Sequence, residues 1–180
     1  MAAKQPACER VALLLRGINV GGKNKLPMAT VKGFLYELRA SDTVTYLQSG
    51  NVVCSSTDPE LHTKLSRMIA SSAKLEVPVL RRTGPELAAV VDGNPYPEQA
   101  DQPKLLHVAF LAQAPDQAWL SRVGLRHGAD RLALADREIY LSYSANSRDS
   151  PLAAVLAKSK LSFTVRNWTT VCKLAELTAG

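Results

Sequence analysis

The apolar positions of the chain fall into short blocks whose period alternates between strand and helix. Val11-Ala12-Leu13-Leu14-Leu15 is an unbroken apolar run closed by a glycine-rich segment, the pattern of a fully buried strand. Val31, Phe34, Leu35 and Leu38 recur at i, i+3, i+4 and i+7 and predict a helix from about Pro27 to Arg39 with one face on a sheet. Pro27 suits the first helical position, where its missing N–H costs nothing. Thr43 to Leu47 is β-branched and aromatic, breaks at Gln48-Ser49-Gly50-Asn51 and resumes as Val52-Val53-Cys54. This predicts either a hairpin or one strand with a bulge at Gly50. Asp58-Pro59-Glu60 has the composition of a helix start: a capping Asp, Pro at the first position and an acid in the first turn. Leu61, Leu65, Met68 and Ile69 supply that helix's apolar face. Val77 to Arg81 is a strand, placed at an edge because Pro78 cannot donate to a ladder.

The order β-α-β-β-α-β is the ferredoxin-like split βαβ arrangement, an antiparallel sheet with both helices on one face. A short helix from Pro85 to Val91 follows. The turn cluster Asp92-Gly93-Asn94-Pro95-Tyr96-Pro97 then marks a subdomain boundary, giving 1–97 and 98–180. The second part repeats the rhythm more weakly. Leu105 to Leu111 is a strand, and Pro115 to Val123 a helix with Trp119 and Leu120. Arg131 to Leu134 and Glu138 to Tyr143 form a hairpin. Ser150-Pro151 opens a helix with Leu152, Val155 and Leu156, and Leu161 to Val165 is a last short strand. Asn167 caps a C-terminal helix whose face is Trp168, Val171, Cys172 and Ala175. The fold class expected is α+β, two α/β plaits, with an internal duplication suggested by element order and not by residue identity.

Composition narrows this little. The chain has 180 residues and 46% hydrophobic positions, enough to bury a core. No apolar stretch approaches the roughly 18 residues of a membrane span, and Met1 to Arg10 carries Lys4, Glu9 and Arg10 instead of a signal-peptide core. No membrane association and a cytoplasmic location are the expectation. Cys8, Cys54 and Cys172 are odd in number and scattered, so neither a disulfide framework nor a metal set is implied. Cys54 and Cys172 suit buried packing and Cys8 an exposed position. The formal charge of +6 favours anionic partners.

Three segments carry candidate chemistry. Arg16 to Lys25 packs three cations, two Asn amides and three glycines into ten positions. Gly21 and Gly22 permit positive φ and close backbone approach. Arg16 can grip a phosphate or carboxylate with two hydrogen bonds, and Lys23 and Lys25 add point charges beside Asn19. The spacing is neither a P-loop nor G-x-G-x-x-G, so it names no nucleotide. In the second segment, Tyr46, Gln48, Ser49 and Asn51 surround a Gly; the amides suit reading a base edge or fixing a turn. In the third, Arg166, Asn167 and Trp168 stand at a helix start, where Arg166 can meet a carboxylate or phosphate and Trp168 either packs or stacks. Catalytic residues are not identifiable. His62 is expected on an exposed helix face, His107 in a strand and His127 in a loop. None shows triad logic, and no metal motif is present.

The stretches Leu13 to Met28, Thr45 to Val53 and Thr164 to Val171 resemble, in order, the signatures of domain-of-unknown-function family 1697. The resemblance implies a bacterial-type cytoplasmic protein of two α+β subdomains, the first ferredoxin-like, and brings no established activity or cofactor. One departure stands at Arg148-Asp149-Ser150-Pro151-Leu152, where Pro151 occupies the place of a lysine in the family pattern. Three functions remain open on sequence. The first is a binding module for a nucleotide, nucleic acid or other anion. The second is a metal-independent enzyme on a phosphorylated or carboxylated small molecule. The third is a structural or interaction role in which the amides satisfy backbone. Val11 to Leu15 lacks the aromatic residues on which RNA-recognition sheets stack bases.

Overall fold

The computed structural model describes residues 7–22 and 24–179; Lys23, one of the candidate loop's cations, lies outside them. By compactness the chain divides into one unit of Met1–Leu87 with Leu174–Gly180, and a second of Ala88–Lys173.

In the first unit, β1 (Glu9–Leu15), β2 (Ser41–Tyr46), β3 (Asn51–Ser56) and β4 (Val79–Thr83) pair antiparallel in the order β2-β3-β1-β4. With α1 (Met28–Glu37) between β1 and β2 and α2 (Leu61–Ala73) between β3 and β4, this is the ferredoxin-like plait. Val11, Leu13 and Leu15 of β1 join Val52 and Cys54 of β3 in one apolar cluster with Val31 and Leu35 of α1 and Leu61, Leu65 and Ile69 of α2. Ala12 and Leu14, on the other face of β1, are buried as well, which is why the strand has no alternation. The break after Tyr46 is a hairpin turn, not a bulge.

Helix starts differ from the sequence expectation by one turn or less. Pro27 is the residue before α1, its carbonyl accepting from Thr30 and Val31, and not the first helical residue. Asp58 does not cap α2; its Oδ1 accepts the Glu60 N–H at 3.0 Å in a tight turn, and α2 begins at Leu61. A short Asx turn satisfies the same donors a cap would, so composition alone did not separate the two.

In the second unit, β5 (Leu106–Leu111), β7 (Asp130–Leu134), β8 (Glu138–Ser142) and β9 (Phe163–Asn167) follow the same connectivity, with α4 (Gln117–Val123) and α5 (Pro151–Lys158) as the crossovers. Two-residue β6 (Arg126–His127) extends one edge, giving the order β6-β7-β8-β5-β9. Apart from that edge, the order is that of the first sheet, all antiparallel. The last strand of each plait runs directly into a further helix, α3 (Gly84–Asp92) after β4 and α6 (Trp168–Ala179) after β9. Asn167 caps α6 as expected, its Oδ1 accepting the Thr170 N–H at 3.0 Å, and Ser150 caps α5 by accepting from Ala153 at 3.0 Å. His127 belongs to β6 and not to a loop, and His62 is half-buried instead of exposed.

The first unit is closed by the last turns of α6. Arg10 donates through Nε to the Leu177 carbonyl at 2.7 Å. Gly84 lies so near that a Cβ would come within 2.8 Å of the Thr178 carbonyl oxygen.

Candidate functional site

The first two candidate segments form one structure at the carboxyl end of β1. Leu15 donates its N–H to the Gly50 carbonyl at 2.8 Å, and Arg16 to the Pro78 carbonyl at 3.0 Å. Gly50 sits at φ +85°, with its Cα against Leu15 and buried Ile18, so that a Cβ would meet Leu15 Cβ at 2.8 Å. No other residue type fits there.

Asn19 is the brace between the two loops. Its Nδ2 donates to the Leu26 carbonyl and to the Gln48 carbonyl, both at 2.8 Å, while its Oδ1 accepts the Leu26 N–H at 2.9 Å. The residue takes φ 54°, which Asn tolerates. Asn24, also left-handed, donates to the Gly17 carbonyl at 3.0 Å. Asn51, fully buried, donates to the Tyr46 carbonyl at 3.0 Å and to Ser49 Oγ at 3.2 Å. Asn19 of the first segment and Asn51 of the second therefore hold backbone in place.

Left-handed backbone is concentrated here: Gly17, Asn19, Gly21, Gly22 and Asn24 in the first loop, Leu47 and Gly50 in the second. Leu47, at φ 59°, is the least expected, because a leucine there is strained. It is also 55% exposed, and Val20 is 63% exposed. These two residues are the chain neighbours of Gln48 and Asn19, whose hydrogen bond joins the loops. Around them the side chains of Arg16, Lys25 and Gln48 are exposed, and Tyr46 and Ser49 are half-buried. The result is an exposed surface of two apolar side chains, cations and an amide. Val20 and Leu47 were not singled out by sequence, since exposure is invisible in a pattern of residue types.

The third segment lies in the second unit. Arg166 is 8% exposed and donates through Nη1 to Thr164 Oγ1 at 2.7 Å and to the Val165 carbonyl at 2.8 Å. Burial lowers its pKa to about 10, so it remains a cation at neutral pH. Trp168 is buried at 6% exposure and does not offer a face for stacking. Asn167 is half-buried and lines a cavity of about 400 Å³ with Lys104, His107 and Arg148. Burial lowers the His107 pKa, and its Nδ1 has no hydrogen-bond partner among the described residues.

Beside it a carboxylate organises the 144–150 segment. Asp130 is 2% exposed, and its Oδ1 accepts from the Ser144 N–H and Oγ at 2.8 Å each, while Oδ2 accepts from Ser150 Oγ at 2.6 Å. Burial opposes the charge, but the hydrogen bonds from Ser150 and Ser144 prevail and hold the pKa below 3.8. The free thiols behave as structural groups. Cys8 is exposed, Cys172 half-buried, and the Cys54 thiol is buried, its pKa pushed up to about 11 chiefly by burial. Among the described residues no cluster of metal-ligating side chains occurs, and no helix is long and apolar enough to cross a membrane.

Over residues 8–140 the chain matches the family described as protein of unknown function, DUF1697. The chain belongs to that family. Among solved structures, the DUF1697 chain is similar to the conserved bacterial protein SP0830 from Streptococcus pneumoniae. The two are 25% identical, the likeness covers 96% of this chain and 99% of that one, and the TM-score is 0.77. A comparison with curated proteins found no match. The loops around Asn19 and Asn51 lie inside the matched residues, and the segment around Asn167 lies beyond them. The family carries no stated activity.

Proposed function

We propose that this DUF1697 protein is a binding module for a nucleotide-like anion, held on the paired loops of the first unit. The observation that supports it is the division of labour there. Asn19 and Asn51 fix the backbone, which leaves Arg16, Lys25 and Gln48 on a surface that also presents Val20 and Leu47. Strained, over-determined backbone beside exposed cations suits a ligand that arrives with negative charge. In this reading Arg16 and Lys25, with Lys23 between them in sequence, take the phosphate. Gln48 takes a base edge, with Ser49 and Tyr46 at its side, and the glycines Gly21 and Gly22 give the loop its path. Val20 and Leu47 take the ring face. Asn167, Arg166 and Trp168 have no part in this proposal and serve the local structure of the second unit.

A cytoplasmic setting, where thiols stay reduced, goes with the proposal; the free Cys8, Cys54 and Cys172 support it. The test is titration of a nucleoside monophosphate and of a short labelled oligonucleotide at two salt concentrations. Binding that weakens with salt, and weakens about five- to tenfold in Arg16→Ala, is expected for charge-assisted contacts at an exposed site. Absence of binding to either probe at low salt would remove the proposal.

A further inference from the structure

Helices of seven and eight residues, α4 and α5, cover the second sheet, where helices of ten and thirteen residues cover the first. At about 1.5 Å per residue this is roughly 10 and 12 Å against 15 and 20 Å. A cavity of about 940 Å³ opens beside them, lined by α4, the end of α5 and the segments at 112–116 and 159–162. Small-ligand sites are about 300–1,000 Å³.

The lining has two characters. Val123, Val155 and Leu161 give it apolar surface, to which Trp119, 7% exposed, adds an edge. Lys158 and Lys160 give it cations, both exposed. The lining carboxylate, Asp116, already accepts the Trp119 N–H at 2.6 Å. Lys158 stands in the last turn of α5, where the macrodipole favours a cation in any case. Lys160, past the helix end, has no such duty. Ser159, between them, also lines the cavity, with its Oγ turned out of reach of solvent.

We infer that this cleft binds a small organic anion with an apolar body. The apolar body packs against Val123, Val155, Leu161 and the exposed edge of Trp119, and the carboxylate, sulfonate or phosphate meets Lys158 and Lys160. The site shares no residue with the paired loops, and its occupant is set by apolar body and charge together.

Two dyes that differ in charge test it: anilinonaphthalene sulfonate and its uncharged counterpart phenylnaphthylamine. The chain has two tryptophans, so indole N–H resonances report location directly. The sulfonate should saturate one site and move the Trp119 resonance while leaving that of Trp168 in place. The double variant Lys158→Ala/Lys160→Ala, at exposed positions that leave the fold intact, should bind the sulfonate about tenfold more weakly and the uncharged dye unchanged. Val155→Trp, which fills the cleft, should abolish both. An unmoved Trp119 resonance, equal binding of the two dyes, or undiminished sulfonate binding in the lysine variant would overturn the assignment.

Discussion

In the first plait, α1 and α2 share one apolar cluster with the sheet, and the loops beyond β1 and β2 are tied by neutral amides. In the second, built on the same strand order, shorter helices leave a cleft beside Trp119, and the segment beyond β8 is tied by the carboxylate of Asp130. The contrast shows what strand order does not decide. Connectivity sets where loops emerge, but helix length decides whether the sheet is covered, and the side chain in the turn decides whether a loop responds to pH. An amide brace is indifferent to protons, whereas a carboxylate brace is not.

The largest expected effect comes from overfilling the first plait's turn. Gly50→Val should cost more than about 3 kcal/mol, since it adds a clash with Leu15 and Ile18 to a left-handed φ. Chemical denaturation measures it, and a loss under 1 kcal/mol would mean that the turn is not rigid. Next is the brace of the second plait. Asp130→Ala strands Ser144 and Ser150 and should cost about 2–3 kcal/mol at neutral pH. The folded pKa of Asp130 is depressed, so its contribution is full above the ordinary value of 3.8 and fades as pH falls through the folded value. The difference between wild type and variant should therefore shrink on acidification, and a constant gap would contradict the carboxylate brace.

The equivalent change in the first plait, Asn19→Ala, removes three hydrogen bonds and should cost about 1–3 kcal/mol. That loss should be flat across the same acid range, which is the direct check on the contrast. Lys25→Ala should change stability by less than about 0.5 kcal/mol while weakening anion binding. A stability loss without a binding loss would turn Lys25 into a structural residue. The smallest effect concerns the boundary proposed between residues 97 and 98. Limited proteolysis should cut first within 93–104, and first cuts elsewhere would move that boundary.

The first plait was legible because each of its elements is periodic and well punctuated. The apolar run at β1, the stripe from Val31 to Leu38 and the β-rich pair flanking Gly50 admit few alternatives. The second plait announced its order but not its extent. Two-residue β6 is too short for any period, and the shortness of α4 was hidden because Pro115 and Asp116 look like helix and act as its lead-in. Asn19, Gln48 and Asn51 stood out as residue types. That Asn19 reaches the Gln48 carbonyl, and that Val20 and Leu47 face water, depend on left-handed φ values that leucine does not advertise. The Trp119 cleft was illegible for a related reason: a void is made of what is missing between elements. Lys158-Ser159-Lys160 was its one trace in the chain.

The closing of the first unit by Leu174–Gly180 bears on the order of events during synthesis. A ribosome releases the chain from its N-terminus. The second unit, a continuous segment, has its whole complement of residues once Lys173 is out. The first, begun earliest, waits for Leu177 to meet Arg10 and for Thr178 to settle on Gly84. The half that is translated first is thus the half that is finished last, completed only when α6 has left the tunnel.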